Sequence, residues 1–445
     1  MRSGRSELLL AAAILALGAP FAAAGEPAVE LSVEDAIVRA ERHSALLGSN
    51  RKLEDASRAA VSEASSVRQP KVDLGAAYSR LSEVPELVIT GPDFELRSIF
   101  PNIENRYGAR LSFSVPLYAG GGIDAGVDSA REGVRATEAD TETLRADVRL
   151  EATRAFWTLV TALEAAHVLE DAMASFERHL VDARNRVDLG LAAKNELLAV
   201  QVERDRAELA LVRATFASAR AEADLARLCG FDAGTVIRPA EIEVSAATDE
   251  EPVETLVERA FAFRSERAAL ASRRAAVLAR ARAERAAKKP AVTADGGFDW
   301  SNPNLRVLPL EEAWKDTWDV SVRFRWTLWD GKGATQAEAR AVAEAEALAM
   351  QLEDLDRRIR LEVTSRALEV REATRALPVA DRAVEAAAES ERIARDRYRE
   401  GLLPSAELLD AETARLGAGL DRTEAAARLA IARALLDRAV VGAAR

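Results

Sequence analysis

The sequence predicts a mixed fold: transmembrane β-hairpins joined to long α-helical hairpins, the whole arrangement built twice in tandem. Three observations predict it. A strand–glycine–helix stretch occurs twice, four segments alternate strictly between apolar and polar residues, and two helical patterns run far longer than a globular core allows. The first copy of the stretch is SFSVPLYAGGGIDAGVDSAR at Ser112–Arg131, the second RFRWTLWDGKGATQAEARAV at Arg323–Val342. Phe113 aligns with Phe324, Leu117 with Leu328, Gly120 with Gly331 and Gly122 with Gly333, always 211 positions apart.

The chain of 445 residues begins with a predicted export signal over residues 1–24. Arg2 and Arg5 precede an apolar run from Leu8 to Leu17, and small residues follow Pro20, the pattern of a cleaved secretory segment. The first repeat is expected over 25–230. It starts with a helix at 32–66 that Ser32 is suited to cap, with Glu34 and Asp35 in its first turn. A β-hairpin follows at 70–118. Val72, Leu74, Ala76 and Tyr78 alternate with polar or small residues, as do Tyr107, Ala109, Leu111, Phe113, Val115 and Leu117. Between them lies a predicted loop containing Pro85, Gly91, Pro92 and Pro101.

A long helical hairpin is predicted at 120–229. Its first arm meets no breaker between Gly133 and Asp188 and carries a stripe of Leu169, Met173, Phe176 and Leu180. At 1.5 Å per residue that arm would reach roughly 100 Å. The chain turns at Leu189-Gly190-Leu191, and a returning helix carries Leu198, Val202, Leu209 and Val212 on one face. A linker at 231–251 contains Gly234, Pro239 and the acids Asp249 to Glu251.

The second repeat, 252–445, retraces the first. VETLVERA at Val253 matches VEDAIVRA at Val33, and Pro290 matches Pro70, both shifted by 220. Past the second hairpin the shift is 211, so the first hairpin is the longer by nine residues. The second hairpin is expected at 290–329, with Val292 to Trp300 and Trp318 to Leu328 alternating, and the second helical hairpin at 333–442. RLEATRAF at Arg149 matches RLEVTSRA at Arg360, and GLAAKNELL at Gly190 matches GLLPSAELL at Gly401. Agreement at several motifs in one register marks a tandem duplication. Pro378 has no counterpart in the first copy, where His167 stands, and predicts a kink.

Composition narrows the functions. A net charge of −12 argues against a nucleic-acid partner. One cysteine, Cys229, and three histidines leave little for a disulfide or a metal cluster, and no nucleophile–base set points to an enzyme. The glycines at 120, 121 and 122 superficially resemble a dinucleotide-binding turn, but the second copy keeps only Gly331 and Gly333, so a strand-to-helix junction accounts for them better. No cofactor is expected. Four strands with one apolar face cannot close a barrel alone. Either they pack on the chain's own helices or several copies close a barrel together, the latter favoured by aromatics near the strand ends.

The order strand–PLYAGG–long helix–LGLAAKNELL, repeated as TLWDGKG and YREGLLPSAELL, resembles the TolC-like outer-membrane efflux proteins over nearly the whole chain. The resemblance implies a homotrimer in which each copy gives four strands to a 12-stranded barrel in outer-membrane lipid, continued by an α-helical tunnel in the periplasm. It implies as partners a periplasmic membrane fusion (adaptor) protein and an inner-membrane RND or ABC transporter, in efflux or type I secretion. Glu407 and Asp410 fall where the family has its constricting acids, and Glu196 and Tyr398 where it has a hydrogen-bonded latch between hairpins. The basic residue of that latch would fall at Leu403, so a salt-bridged lock is not expected. Gly190, Leu191, Gly401 and Leu402 fall at the adaptor-docking tips, and Gly120, Gly122, Gly331 and Gly333 at the barrel-to-helix junction. The rival reading is a periplasmic coiled-coil adaptor or scaffold that never enters the outer membrane, but a duplicated pair of hairpins speaks against it.

Overall fold

The computed structural model of the protein describes residues 29–85, 87–91, 94–240 and 251–441. The export segment at 1–24 and the acids Asp249 and Glu250 lie outside the described residues. In chain order the elements are β1 Val29–Leu31, α1 Val33–His43, α2 Ala45–Ser66, β2 Lys71–Arg80, β3 Leu87–Gly91, β4 Phe94–Phe100, β5 Asn105–Tyr118, α3 Gly122–Asp188 and α4 Lys194–Cys229. The second repeat follows as β6 Ile237–Pro239, α5 Val253–Phe263, α6 Ser265–Ala286, β7 Ala291–Asn302, β8 Lys315–Arg325, α7 Gly333–Arg399 and α8 Ser405–Val440. Corresponding helices have equal lengths. α1 and α5 have 11 residues, α2 and α6 have 22, α3 and α7 have 67, and α4 and α8 have 36. No described helix is long and apolar enough to cross a membrane.

Three details differ from the sequence expectation. The single helix expected at 32–66 is broken at Ser44, which is extended (ψ 110°), and the second copy breaks likewise at Arg264 (ψ 116°). Neither break carries glycine or proline, so the sequence gives no warning. The expected loop of the first hairpin holds a two-stranded antiparallel ribbon, β3 with β4. The fourth strand ends at Arg325 rather than Leu328, because its partner β7 begins at Ala291, opposite Arg325. The helix α7 includes Pro378.

The chain divides into two compact units. One comprises Ala45–Asp147, Glu251–Ala367 and Asp437–Arg445. It contains the antiparallel sheet β2-β5-β7-β8, in which strands of both repeats meet at the β5–β7 pairing. Val72 lies opposite Phe113, Leu111 opposite Phe298, and Phe298 opposite Trp318, so one face is continuously apolar. That face is bare: Leu74 is 76% exposed, Trp318 72% and Val322 68%. On the other face Arg110 reaches Asp319 at 2.9 Å and the Ser114 hydroxyl donates to Asp295 at 2.9 Å. Within the same unit the buried Arg264, at the α5–α6 break, donates to Glu362 (2.9 Å) and to the Ala439 carbonyl (3.1 Å). Burial works against the charge of Glu266, yet the neighbouring Arg438 and Arg264 outweigh it and hold its carboxyl below the usual range.

The other unit comprises the described residues of Met1–Ser44, Val148–Glu250 and Leu368–Leu436. Its β1 and β6 pair in parallel, and Leu31 and Ile237 on them pack with Phe156, Leu159, Leu225 and Cys229. Burial pushes the Cys229 thiol up to about 11, which suits an unreactive core residue. Leu169 and Phe176 of the predicted α3 stripe are buried. On α4 the predicted stripe is the uncovered one. Val200, Ala207 and Leu225 form the buried face, whereas Leu198, Val202, Leu209, Val212 and Phe216 are about half exposed or more.

The two junction glycines make the repeats separable by experiment. Gly120 and Gly331 both have positive φ (62° and 68°), a conformation that costs an L-residue about 1–2 kcal/mol. A Cβ on Gly120 would also lie 2.9 Å from the Ala286 carbonyl oxygen, while Gly331 has nothing within 4 Å. Gly120→Ala should therefore lower the thermal midpoint clearly more than Gly331→Ala; equal losses in a melting experiment would contradict the assigned packing.

Candidate functional site: the helix-turn tips

Each long helix ends in the same device. At the end of α3, Gly190 takes φ 71°, its N–H donates to the Val187 carbonyl (3.0 Å), and the Leu191 N–H donates to the Arg186 carbonyl (2.8 Å). At the end of α7, Gly401 takes φ 77°, with Gly401 to Tyr398 at 3.0 Å and Leu402 to Arg397 at 2.9 Å. This double bond pattern with a left-handed glycine terminates a helix and needs glycine at that point. The leucine after it usually folds back on its own helix. Here Leu191 and Leu402 are 74% and 72% exposed, so both tips present apolar side chains outward.

After Pro404 the chain starts α8 at Ser405. Ser405, Leu408, Ala411 and Glu412 form its buried side, and Glu407 and Asp410 stand exposed on the other. Neither Glu407 nor Asp410 has an ion-pair partner among the described residues of this single chain. Three residues apart on a helix, the two carboxylates project from one face. Glu196, in the first turn of α4, is half-buried.

Tyr398 is 2% exposed and is held from directions the sequence did not disclose. The Arg186 guanidinium lies 4.1 Å from its ring centroid and donates to its carbonyl oxygen. His179 meets the ring edge-on at 5.0 Å. The Tyr398 hydroxyl is buried without a well-formed hydrogen bond, so no bond joins it to Glu196, although Ser405 and Glu196 are within electrostatic reach. Burial raises its pKa above the ordinary phenol value, with Arg186 opposing. A basic residue thus does meet Tyr398. It comes from the last turn of α3 rather than from position 403, and its only sequence signal is a cation placed to suit a helix C-terminus.

Gly122 and Gly333 are the first residues of α3 and α7. Before α7 the Asp330 carboxylate accepts from the Lys332 N–H (2.9 Å) and the Ala334 N–H (2.7 Å). The Ala334 donor, with Lys332 and Gly333, holds Asp330 below the usual carboxylate range. The amides that would cradle a phosphate are already occupied by the chain's own carboxylate.

With strands, paired helices and tips in place, the whole chain can be compared with known proteins. The profile of the outer membrane efflux protein family matches residues 36–231 and 256–442, one match per repeat. The chain belongs to the outer membrane efflux protein family. Outer membrane efflux proteins are channels of the outer membrane with a helical tunnel in the periplasm, and this chain shares that location. Its fold matches VceC of Vibrio cholerae at a TM-score of 0.75 and 18% identity, over 92% of this chain and 96% of that one. It also matches the outer-membrane channel OprN (TM-score 0.76, 20% identity, 92% and 90% covered) and CmeC of Campylobacter jejuni (0.75, 16%, 92% and 86%). No curated protein sequence matches.

Arg186 can be tested directly. Its contacts with Tyr398 are worth about 1–2 kcal/mol at a partly desolvated site. Arg186→Ala should speed amide hydrogen exchange in the segment 396–404 by roughly tenfold while the β-sheet is unchanged; unchanged exchange there would remove the assignment.

Proposed function

We propose that three copies of this chain close one barrel of 12 strands, four from each, and form a passive conduit from periplasm to exterior. The observation that carries this reading is the four-stranded sheet, in which, among the described residues, β2 and β8 each have an unpaired edge and the apolar face is bare. In hydrocarbon such edges must be hydrogen-bonded, and closure with neighbouring copies supplies every partner. The exposed α4 stripe supports the same assembly, since Leu198, Val202, Leu209 and Val212 recur at near-heptad spacing and suit a neighbouring helix. A periplasmic scaffold would gain nothing from a sheet of this kind.

Glu407 and Asp410, in this reading, narrow the periplasmic mouth. Three copies would bring six carboxylates around one axis, where mutual repulsion and bound cations both govern passage. Exposed Leu191 and Leu402 at the two tips suit an adaptor's helical hairpin, which would join the channel to an inner-membrane RND or ABC pump.

Planar-bilayer recording tests the conduit. The detergent-extracted protein should run as a trimer on semi-native gels and open discrete pores. Glu407→Ala with Asp410→Ala should raise conductance several-fold and weaken block by hexaamminecobalt(III). A monomer without pores would sink the conduit, and wild-type conductance and block in the double variant would remove the gate.

A further inference from the structure

Behind Tyr398 lies a buried polar chain that the gate reading does not use. The His179 side chain, from α3, is 1% exposed and Glu412, from α8, is 2% exposed. His179 Nδ1 is 2.9 Å from Glu412 Oε2, and Nε2 is 3.0 Å from the Ser405 hydroxyl. An ionised Glu412 only accepts, so Nδ1 carries the proton; in the neutral ring Nε2 then accepts from Ser405. The other Glu412 oxygen accepts from the Ser175 hydroxyl at 2.8 Å, which in turn accepts from Arg395 of α7 at 2.7 Å. Arg395 also pairs with Glu391. Ser405 and His179 thus run in series to one Glu412 oxygen and Ser175 reaches the other, while Ser175 also lies 3.1 Å from the Glu391 carboxylate.

The spacing on α8 gives this cluster a consequence. Ser405 and Glu412 are seven residues apart, about two turns at 3.6 residues per turn, and so lie on one side of the helix. Glu407 and Asp410 fall between them, roughly 170° around the helix axis from the pair at 100° per residue. The imidazole therefore staples the first two turns of α8 from behind, while those turns carry both acids in front. Its edge also rests on Tyr398, the last buried residue of α7 before the tip.

Stability alone does not call for such a pair. Exchanging both partners of a buried polar pair for apolar residues of similar shape is often neutral or stabilising, and the best-attested use of buried polar groups is to fix register. We infer that His179 and Glu412 are positioning residues of the periplasmic mouth: they hold the start of α8 in one register on α3, and so fix where Glu407 and Asp410 stand. The inference rests on the reading of those two acids as the constriction.

The test separates positioning from stability. In the trimer reconstituted in planar bilayers, His179→Leu combined with Glu412→Leu should keep the thermal midpoint near wild type. It should nonetheless raise single-channel conductance at least about twofold and weaken block by hexaamminecobalt(III), as a displaced ring of charge would. His179→Gln, whose amide both donates and accepts, should restore wild-type conductance. If the apolar pair fails to assemble, Glu412→Gln carries the test, because it removes the charge and keeps the volume; it too should raise conductance. Wild-type conductance and block in the apolar pair, or in Glu412→Gln where that pair fails to assemble, would overturn the inference. The acids themselves are tested separately by Glu407→Ala with Asp410→Ala. If that variant is silent while the apolar pair opens the pore, the acid reading falls, and with it the claim that the clamp acts through those two carboxylates, while its hold on the register of α8 stands.

Discussion

A β-strand that enters hydrocarbon must find hydrogen-bond partners along both edges, because no water is there to take their place. The sheet β2-β5-β7-β8 meets that requirement inside but not at its margins, where β2 and β8 each have one neighbour. Much else in the chain answers to this shortfall. The apolar face is continuous and is not screened by the described elements of the chain. The polar face has its own ion pair, Arg110 with Asp319, and does not need to be covered. A sheet so divided fits the proposed closure with neighbouring copies.

Duplication is how the chain produces such a sheet. Two hairpins of common origin meet at β5 and β7, and the equal lengths of the four helix pairs show how strictly the two copies have kept their frame. They have diverged where length matters least, in the first hairpin, which carries the β3–β4 ribbon, and at the tips. At the second tip alone does a proline precede the returning helix, and Asp410 and Glu412 stand where the first copy has Ala199 and Gln201, while Glu407 matches Glu196. The first copy has Ala193 and Lys194 where the second has Pro404 and Ser405. The two turns share a backbone and differ in chemistry.

Local periodicity carried most of the fold. Alternation from Val72 to Tyr78 and from Trp318 to Phe324 marked strands, and the absence of breakers before Asp188 marked α3 to its last residue. Glycines 190 and 401 marked the tips because only a left-handed residue ends a helix in that way. What escaped had no local signature. Ser44 and Arg264 break helices through one extended residue each, without glycine or proline. The α4 leucines and valines formed a face, but periodicity does not say whether a face is covered or bare. The contacts at Tyr398 join residues far apart in sequence, His179 and Arg186 to positions 398, 405 and 412, and only the packing of three helices brings them together.

The central claim is that the free edges of β2 and β8 belong to neighbouring copies in a closed ring. The chain's only cysteine, Cys229, is buried, which leaves the surface clear for engineered thiols. Single cysteines placed in turn along β2, Lys71–Arg80, in a chain carrying one further cysteine on β8, can be oxidised in outer-membrane fractions and resolved on denaturing gels. A closed ring of three should give a covalent trimer at a few registered positions and nothing between them. No cross-link at any position, or a ladder that stops at the dimer, would contradict it.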